Sequence, residues 1–158
     1  MRTIIGIDPG LDGGLAAITA EGLDLAVMPV AAAGKRREID EQAVVTWLLE
    51  RRPARVFIER VQAMPRQGVV SMFSFGAGWG LVRGICAGLG LPYELVRPQE
   101  WQRAMLAGQP KDSEYLVASR LWPDAEWRAS ERAKKWHSGL VDAALLCEHG
   151  RRRLRGDR

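Results

Sequence analysis

Three short apolar runs occupy the first part of the chain, and only turn signals separate them. The runs cover residues 3–7, 15–19 and 23–30, with Pro9-Gly10 and Glu21-Gly22 between them. Apolar runs of this length bounded by Gly and Pro are typical of strands. Consecutive strands joined by tight turns form an antiparallel meander. The start of the chain therefore predicts three antiparallel strands of one sheet.

The rest of the chain alternates between helical and strand patterns. Helices are predicted over residues 38–51, 69–89, 98–106, 111–121 and 139–153, strands over residues 55–59 and 91–96, and loops over residues 31–37 and 62–67. An antiparallel start followed by this alternation predicts an α/β fold with a mixed five-stranded sheet flanked by helices.

The 158 residues have the size of one domain, and the charge is concentrated at its end. Residues 151–158 contain five arginines and one aspartate, which account for the whole net charge of +4. We therefore expect a single domain over residues 1–150 and a basic C-terminal tail over residues 151–158. Such a tail either binds a polyanion such as nucleic acid or only promotes solubility, and composition does not decide between them.

The chain has no sequence signal for secretion or for a membrane. Its start lacks the charged region, apolar core and cleavage site of a signal peptide. Arg83 interrupts the longest apolar stretch, which leaves no membrane span. Cys86 and Cys147 lie in apolar surroundings without metal-binding spacing, so we expect buried free thiols. These features predict a cytoplasmic protein without a membrane partner.

Three acids stand where apolar residues would be expected. Asp8 and Glu59 each end an apolar strand, and Asp142 lies inside the apolar stretch of residues 139–146. An ionised carboxylate is costly to bury unless it is paired or binds a metal. Each acid alone has an ordinary explanation, a turn for Asp8 and an ion pair for Glu59 or Asp142.

Taken together, the three acids predict a metal-dependent site. If the first and fourth strands are neighbours, Asp8 and Glu59 lie at the same edge of the sheet, and a helix across that edge brings Asp142 to them. A cluster of carboxylates without cations requires Mg²⁺ or Mn²⁺, which prefer oxygen ligands. Two such ions about 3.5–4 Å apart support attack of water on a phosphodiester.

Several ordered segments resemble the RuvC-type Holliday junction resolvases, especially the compact phage branch of that family. They are residues 5–10 (IGIDPG), 57–60 (FIER), 96–101 (VRPQEW), 111–112 (KD), 121–123 (LWP) and 141–145 (VDAAL). The resemblance covers residues 3–148 and implies a ribonuclease H-like fold, a homodimer and metal-dependent nicking of two strands of a four-way DNA junction. It assigns Asp8, Glu59 and Asp142 as catalytic metal ligands and implies no nucleotide cofactor.

The sequence departs from this family at the fourth ligand, an acid that many members place three or four residues before the last aspartate. Here Gly139 and Ser138 occupy those positions. His137 is the candidate substitute, because it can bind a metal or accept a proton from the attacking water. This role places it just before the last helix, with Ser138 as the N-cap residue. The alternative is a surface histidine.

Four glycines recur at every fourth residue of the second predicted helix, at Gly76, Gly80, Gly84 and Gly88. Each costs about 1 kcal/mol against alanine in a helix, so a compensating close approach is expected. Because the resembled family dimerises through this helix, we expect a subunit contact there. The alternative is packing against the chain's own sheet.

Basic and apolar residues around the predicted site are candidates for DNA contacts. Met64 can wedge against an unstacked base, and cationic side chains can bind phosphates; the cationic candidates are Arg66, Lys111, Lys134 and Lys135. The alternative for all the cations is a solvated surface. The sequence leaves the roles of Trp101, Trp122, Trp127 and Trp136 open.

Three other functions share features with this sequence. An actin-like sugar kinase shares the first turn but needs two duplicated domains, which 158 residues cannot supply. An RNA-processing nuclease of the same fold is the second. A junction-binding protein that has lost catalysis is the third, and the three acids argue against it.

Overall fold

A computed structural model describes residues 2–34, 36–60 and 68–156, with the backbone alone for residues 69–71. Twelve elements are present in this part of the chain. In order they are β1 (Ile4–Asp8), β2 (Gly14–Ile18), β3 (Leu23–Val27), β4 (Val30–Ala33), β5 (Arg36–Ile39), α1 (Glu41–Arg51), β6 (Arg55–Glu59), α2 (Val69–Gly88), β7 (Tyr93–Val96), α3 (Pro98–Met105), α4 (Glu114–Leu121) and α5 (Ser138–Arg155).

The main sheet has five strands in the order β3-β2-β1-β6-β7. β1 is antiparallel to β2, and β2 to β3, whereas β6 runs parallel to both β1 and β7. The predicted mixed sheet, with its antiparallel meander at the start, is therefore confirmed. The neighbouring positions of β1 and β6 fix the ends of both strands at one edge of the sheet.

Alternate residues of the strands enter two cores on opposite faces of the sheet. Ile5 and Ile7 of β1 pack in one core with residues of α1 and α2. Ile4 of β1 and Phe57 of β6 pack in the other core with residues of α3, α4 and α5. Side chains of a strand alternate between faces. The even positions of β1 and the odd positions of β6 therefore point toward α5.

The predicted loop over residues 31–37 is wrong, because β4 and β5 pair there as an antiparallel hairpin. All of β4 is exposed. The strand predicted over residues 23–30 ends at Val27. The helix predicted to begin at residue 38 begins at Glu41, because Glu38 belongs to β5. The Asp40 carboxylate caps α1 by accepting a hydrogen bond from the Ala43 N–H at 3.0 Å.

The last helix extends two residues beyond its predicted end and crosses the expected boundary between residues 150 and 151 without a break. Arg151 and Arg152 both donate to the carboxylate of Glu148, at 2.6 and 2.9 Å. Arg153 pairs with Glu94 and Glu100. Arginines predicted to lie in a tail thus form the last turns of α5, and these three are ion paired.

Both cysteines are buried free thiols, as predicted. Burial raises the pKa of Cys86 to about 11 and that of Cys147 to about 12. In the described part of the chain, every helix falls short of the length and apolar content that crossing a lipid bilayer requires.

Candidate active site

Asp8 and Glu59 end two neighbouring parallel strands at the same edge of the sheet. Ile7 of β1 lies opposite Ile58 of β6, so the acids that follow them in the two strands are neighbours across the sheet. Both occupy the strand positions that point toward α5. The sheet therefore places two carboxylates side by side beneath that helix.

Glycines let the start of α5 lie directly on this edge of the sheet. A Cβ atom on Gly139 would collide with the backbone of Asp12 and Gly13 in the turn between β1 and β2, and one on Gly6 would collide with the Ala143 carbonyl. Because a side chain at position 139 does not fit, the absence of an acid there has a steric cause. The close approach brings Asp142, in the next turn of the helix, to the two strand acids.

Burial raises the pKa values of all three acids, and repulsion from neighbouring carboxylates adds to the rise at Glu59 and Asp142. Desolvation and the charge of Asp8 raise the pKa of Glu59 to about 7. Desolvation and the charges of Asp8, Glu59 and Glu114 raise the pKa of Asp142 to about 8. Desolvation also raises the pKa of Asp8, although the Gly10 N–H and His137 oppose the shift. The three acids thus form one electrostatically coupled group.

The side chains as they stand do not form a closed metal site. Among the described residues, no group of three or more His, Cys, Asp or Glu side chains is arranged to hold an ion. The three side chains would have to approach one another to share an ion.

His137 is the N-cap residue of α5, so the predicted N-cap at Ser138 is wrong. Its carbonyl oxygen accepts hydrogen bonds from the N–H groups of Leu140 and Val141. Its own N–H donates to the Trp127 carbonyl at 2.7 Å. The imidazole lowers the pKa of Asp8 by its charge. Its Nδ1 atom is buried and has no hydrogen-bond partner in the described part of the chain. This nitrogen is therefore available to a ligand beside the acids.

Trp101 is a site residue whose role the sequence left open. Its indole N–H donates to Oε1 of Glu59 at 2.8 Å, and the ring is fully buried. The register explains the contact, because Glu59 lies opposite Val96 at the end of β7 and α3 begins two residues later. The bond lowers the pKa of Glu59 against the larger effect of burial.

Glu114 is a second residue that sequence reasoning missed. It is the first residue of α4, and its charge raises the pKa of Asp142. The two acids are 28 positions apart, and the sequence between them gives no periodic signal of their proximity, which depends on the packing of α4 against α5. Glu114 therefore adds a fourth negative charge near the three predicted acids.

An open cleft of about 810 Å³ leads to the strand acids. Asp8 and Glu59 line it together with Arg37 of β5 and Phe75 of α2. Arg37 bridges the cleft wall by an ion pair with Asp12 at 3.1 Å. The unpredicted β4-β5 hairpin thus supplies part of the wall.

The remaining predicted residues are the five candidates for DNA contacts. Lys111 lies before α4, and Lys134 and Lys135 lie shortly before α5; all three are exposed and make no ion pair in the described part of the chain. Met64 and Arg66 lie outside the described residues.

The glycine ridge of α2 faces away from the described part of the chain. A Cβ atom built on Gly76, Gly80, Gly84 or Gly88 would have no described atom within 4 Å. By contrast, a Cβ on Gly78 would contact Ile39 and the Pro9 carbonyl oxygen at 3.0 Å. Packing against the chain's own sheet therefore does not explain the ridge.

Comparison with solved structures identifies the fold. RuvC from T. thermophilus in complex with a Holliday junction substrate aligns over 99% of this chain and 98% of its own, with 19% identity and a TM-score of 0.67. Another Thermus thermophilus RuvC structure aligns over 96% of both chains, with 20% identity and a TM-score of 0.63. The chain has the ribonuclease H-like fold of RuvC.

A third structure with this fold comes from yeast. The mitochondrial Holliday junction resolvase Ydc2 aligns over 92% of this chain and 76% of its own, with 12% identity and a TM-score of 0.60. No family model matches the chain, and neither does any curated protein sequence. The likeness therefore lies in the fold. This fold is the one that the resemblance of the sequence segments implied.

Proposed function

We propose that the chain is a structure-selective endonuclease that nicks two strands of a four-way DNA junction by phosphodiester hydrolysis. The observation that carries the proposal is the coupled group of Asp8, Glu59 and Asp142, half-buried at the edge of a sheet with the RuvC fold. Acids kept together at such an electrostatic cost are typical of catalytic sites. A structural role would be served as well by apolar residues.

The acids fit divalent cations by their chemistry and by their charge. Asp8, Glu59 and Asp142 supply the oxygen ligands that Mg²⁺ and Mn²⁺ prefer, and a cation would relieve the repulsion that raises their pKa values. Asp8, Glu59, Asp142 and His137 would hold the ions, whose chemistry would be the activation of water and the stabilisation of the leaving oxygen.

The chain's own residues prepare the site for this chemistry. Trp101 fixes one oxygen of Glu59, the other oxygen has no hydrogen-bond partner among the described residues, and the Gly10 N–H donates to Asp8 Oδ1 at 3.3 Å. His137 presents a buried nitrogen that can bind an ion or accept the proton of the attacking water. These contacts hold the reacting groups in place before substrate arrives.

We propose that two copies of the chain pair through the glycine ridge of α2. Met72 and Phe73 extend the same exposed region, and Phe73 is 76% exposed. Bare glycines let two helix backbones approach closely, and the flanking apolar side chains add buried area. A symmetric pair would present two active sites to two strands of one junction.

DNA contacts are proposed for the exposed cations Lys111, Lys134 and Lys135, and for Met64 and Arg66 outside the described residues. The lysines have no competing acid in the described part of the chain. Phosphate contacts of this kind make affinity depend on salt.

The test is a cleavage assay with Mg²⁺ on a synthetic four-way junction, a duplex of matched sequence and a structured RNA. We expect cutting of the junction alone, and a loss of at least about 100-fold in Asp8→Asn, more than removal of a residue outside the ligand shell usually costs. Asp124→Asn changes an exposed acid away from the site and is the matched control. Preferred cutting of RNA, or normal cutting by Asp8→Asn, would overturn the proposal.

A further inference from the structure

Tyr115 of α4 and Trp136 stack on the protein surface. Their ring centroids are 5.2 Å apart and their planes differ by only 4°. The two residues are 37% and 43% exposed. Stacked rings in a core are covered on all sides, whereas this pair leaves aromatic surface in contact with solvent. Another flat ring can be added to it.

The pair adjoins the active site through both of its chain neighbours. Trp136 directly precedes His137, whose charge acts on Asp8. Tyr115 directly follows Glu114, whose charge acts on Asp142. Each ring is thus the chain neighbour of a residue whose charge acts on one of the acids. A nucleotide held on the rings would lie close to the site of cleavage.

The surroundings of the pair carry uncompensated positive charge. A pocket of about 310 Å³ borders the rings and is lined by Lys134 and Lys135. Both lysines are exposed and lack an ion-pair partner among the described residues. The other two charged residues of the rim, Glu126 and Arg128, neutralise each other at 2.6 Å. Two free ammonium groups therefore accompany the aromatic surface.

We propose that Tyr115 and Trp136 form a stacking site for an unpaired base of the DNA strand that enters the active site, with Lys134 and Lys135 binding its phosphates. Aromatic side chains beside cations are the general means of holding unpaired nucleotides, and they need no particular base. The inference rests on the proposed function and deepens it. Base pairs at a branch point lack part of the stacking that they have in a continuous duplex, so their bases become unpaired at a lower cost, and the ring pair favours branched DNA.

The test is DNA binding in EDTA, where cleavage cannot occur, measured by fluorescence anisotropy with a four-way junction and with single-stranded oligothymidine. Trp136→Ala should weaken both affinities about 10-fold, which corresponds to about 1.4 kcal/mol. Tyr115→Ala should have the same direction of effect. Trp136→Phe should bind like the parent because it keeps a ring. Leu154→Ala, which trims an exposed apolar residue at the far end of α5, is the control for fold and stability.

Salt separates the stacking contribution from the charge contribution. The defect of Trp136→Ala should persist as salt is raised, because stacking is not screened, whereas the defect of Lys134→Ala plus Lys135→Ala should shrink. Equal binding by Trp136→Ala and the parent overturns the stacking site. The stacking site is also overturned if Trp136→Phe binds DNA as weakly as Trp136→Ala while both variants unfold at the same temperature as the parent.

The two proposals fail in different ways. If the parent cuts junctions but binds them equally well without Trp136, the stacking site is wrong and the nuclease stands. If the parent does not cut junctions while its binding of oligothymidine depends on Trp136, the proposed substrate is wrong and the stacking site stands.

Discussion

Trp101 donates its indole N–H to Oε1 of Glu59 at 2.8 Å, and this bond joins the first turn of α3 to the end of β6. The donor is fully buried and the acceptor is the acid whose pKa rises to about 7. A tryptophan can only donate, so it selects one oxygen and one orientation of the carboxylate. Trp101 is therefore a positioning residue for the candidate active site.

Trp101→Phe should keep the buried ring and remove the donor. The bond lowers the pKa of Glu59, so its loss should raise that pKa further and make Glu59 a poorer metal ligand. We expect the Mg²⁺ concentration for half-maximal cleavage to rise, with activity about 10–100-fold lower, as for other residues that orient metal ligands. A magnesium titration of junction cleavage measures both.

Trp127→Phe provides a matched control for that substitution. Trp127 is also buried in the same core, but its Nε1 atom has no hydrogen-bond partner among the described residues. The change of ring should therefore leave cleavage nearly unaltered. If both variants lose activity equally, packing rather than the bond to Glu59 explains the effect.

Strong local patterns made the main sheet and the three acids predictable. Ile7-Asp8 and Ile58-Glu59 each mark an apolar strand that ends in an acid, and this pattern can be recognised in the sequence without knowledge of the fold. Trp101 and Glu114 show no such pattern. Their contacts with the site join residues 42 and 28 positions apart, and depend on how α3 and α4 pack beside α5.

The β4-β5 hairpin shows the opposite failure, in which local pattern is misleading. Ala31, Ala32 and Ala33 have low strand propensity and are all exposed, so neither composition nor alternation indicates a strand. Pairing with β5 and the ion pair between Arg37 and Asp12 hold the segment in place. Tertiary contacts outweigh propensity there, as they often do in exposed strands.

Without metal, the protein should lose stability as the pH rises. Glu59 and Asp142 have folded-state pKa values of about 7 and about 8, above their unfolded values. The folded state therefore binds more protons, and stability that is present below about pH 4 is lost as the pH rises toward about 8. The loss is on the order of a few kcal/mol. Thermal unfolding in EDTA from pH 4 to pH 8 measures it.

Asp142→Asn isolates the source of that dependence. The variant removes the carboxylate whose pKa rises to about 8, so its unfolding temperature should exceed the parent's at pH 8 and match it at pH 4. Mg²⁺ should narrow the difference at pH 8 by binding the folded parent. Asp124→Asn, at an exposed position, should follow the parent. A parent that is more stable at pH 8 than at pH 4 in EDTA would contradict the coupling of the acids.

Gly80→Leu and Gly84→Leu test the proposed dimer contact. A Cβ atom at either position would meet no described atom within 4 Å in its own chain, so each variant should fold. Each leucine would nevertheless hold two facing helix backbones apart. We expect monomers by analytical ultracentrifugation and single instead of paired nicks.

Ala104→Leu is the control for the glycine variants, because it adds the same apolar side chain at an exposed position of α3 on the other side of the sheet. It should remain dimeric. Dimers in both glycine variants would show that the ridge does not form the subunit contact.

His137 caps α5 with its backbone and presents its imidazole near the acids, and substitutions can separate these two features. Its backbone caps α5, and its buried Nδ1 atom lies near the acids without a partner in the described part of the chain. His137→Ala should keep junction binding in EDTA and lose cleavage by about 100-fold or more, the usual contribution of a proton-transfer group. His137→Asp should retain cleavage, because a carboxylate can bind the ion and Asp is a favoured N-cap residue.

The aspartate variant also predicts an effect on stability that a surface position would not produce. In EDTA at pH 8, His137→Asp should be less stable than the parent, because it replaces a group that lowers the pKa of Asp8 with another negative charge. If His137→Ala cuts as well as the parent, Asp8, Glu59 and Asp142 hold the ions with water alone, and His137 serves only as the cap of α5.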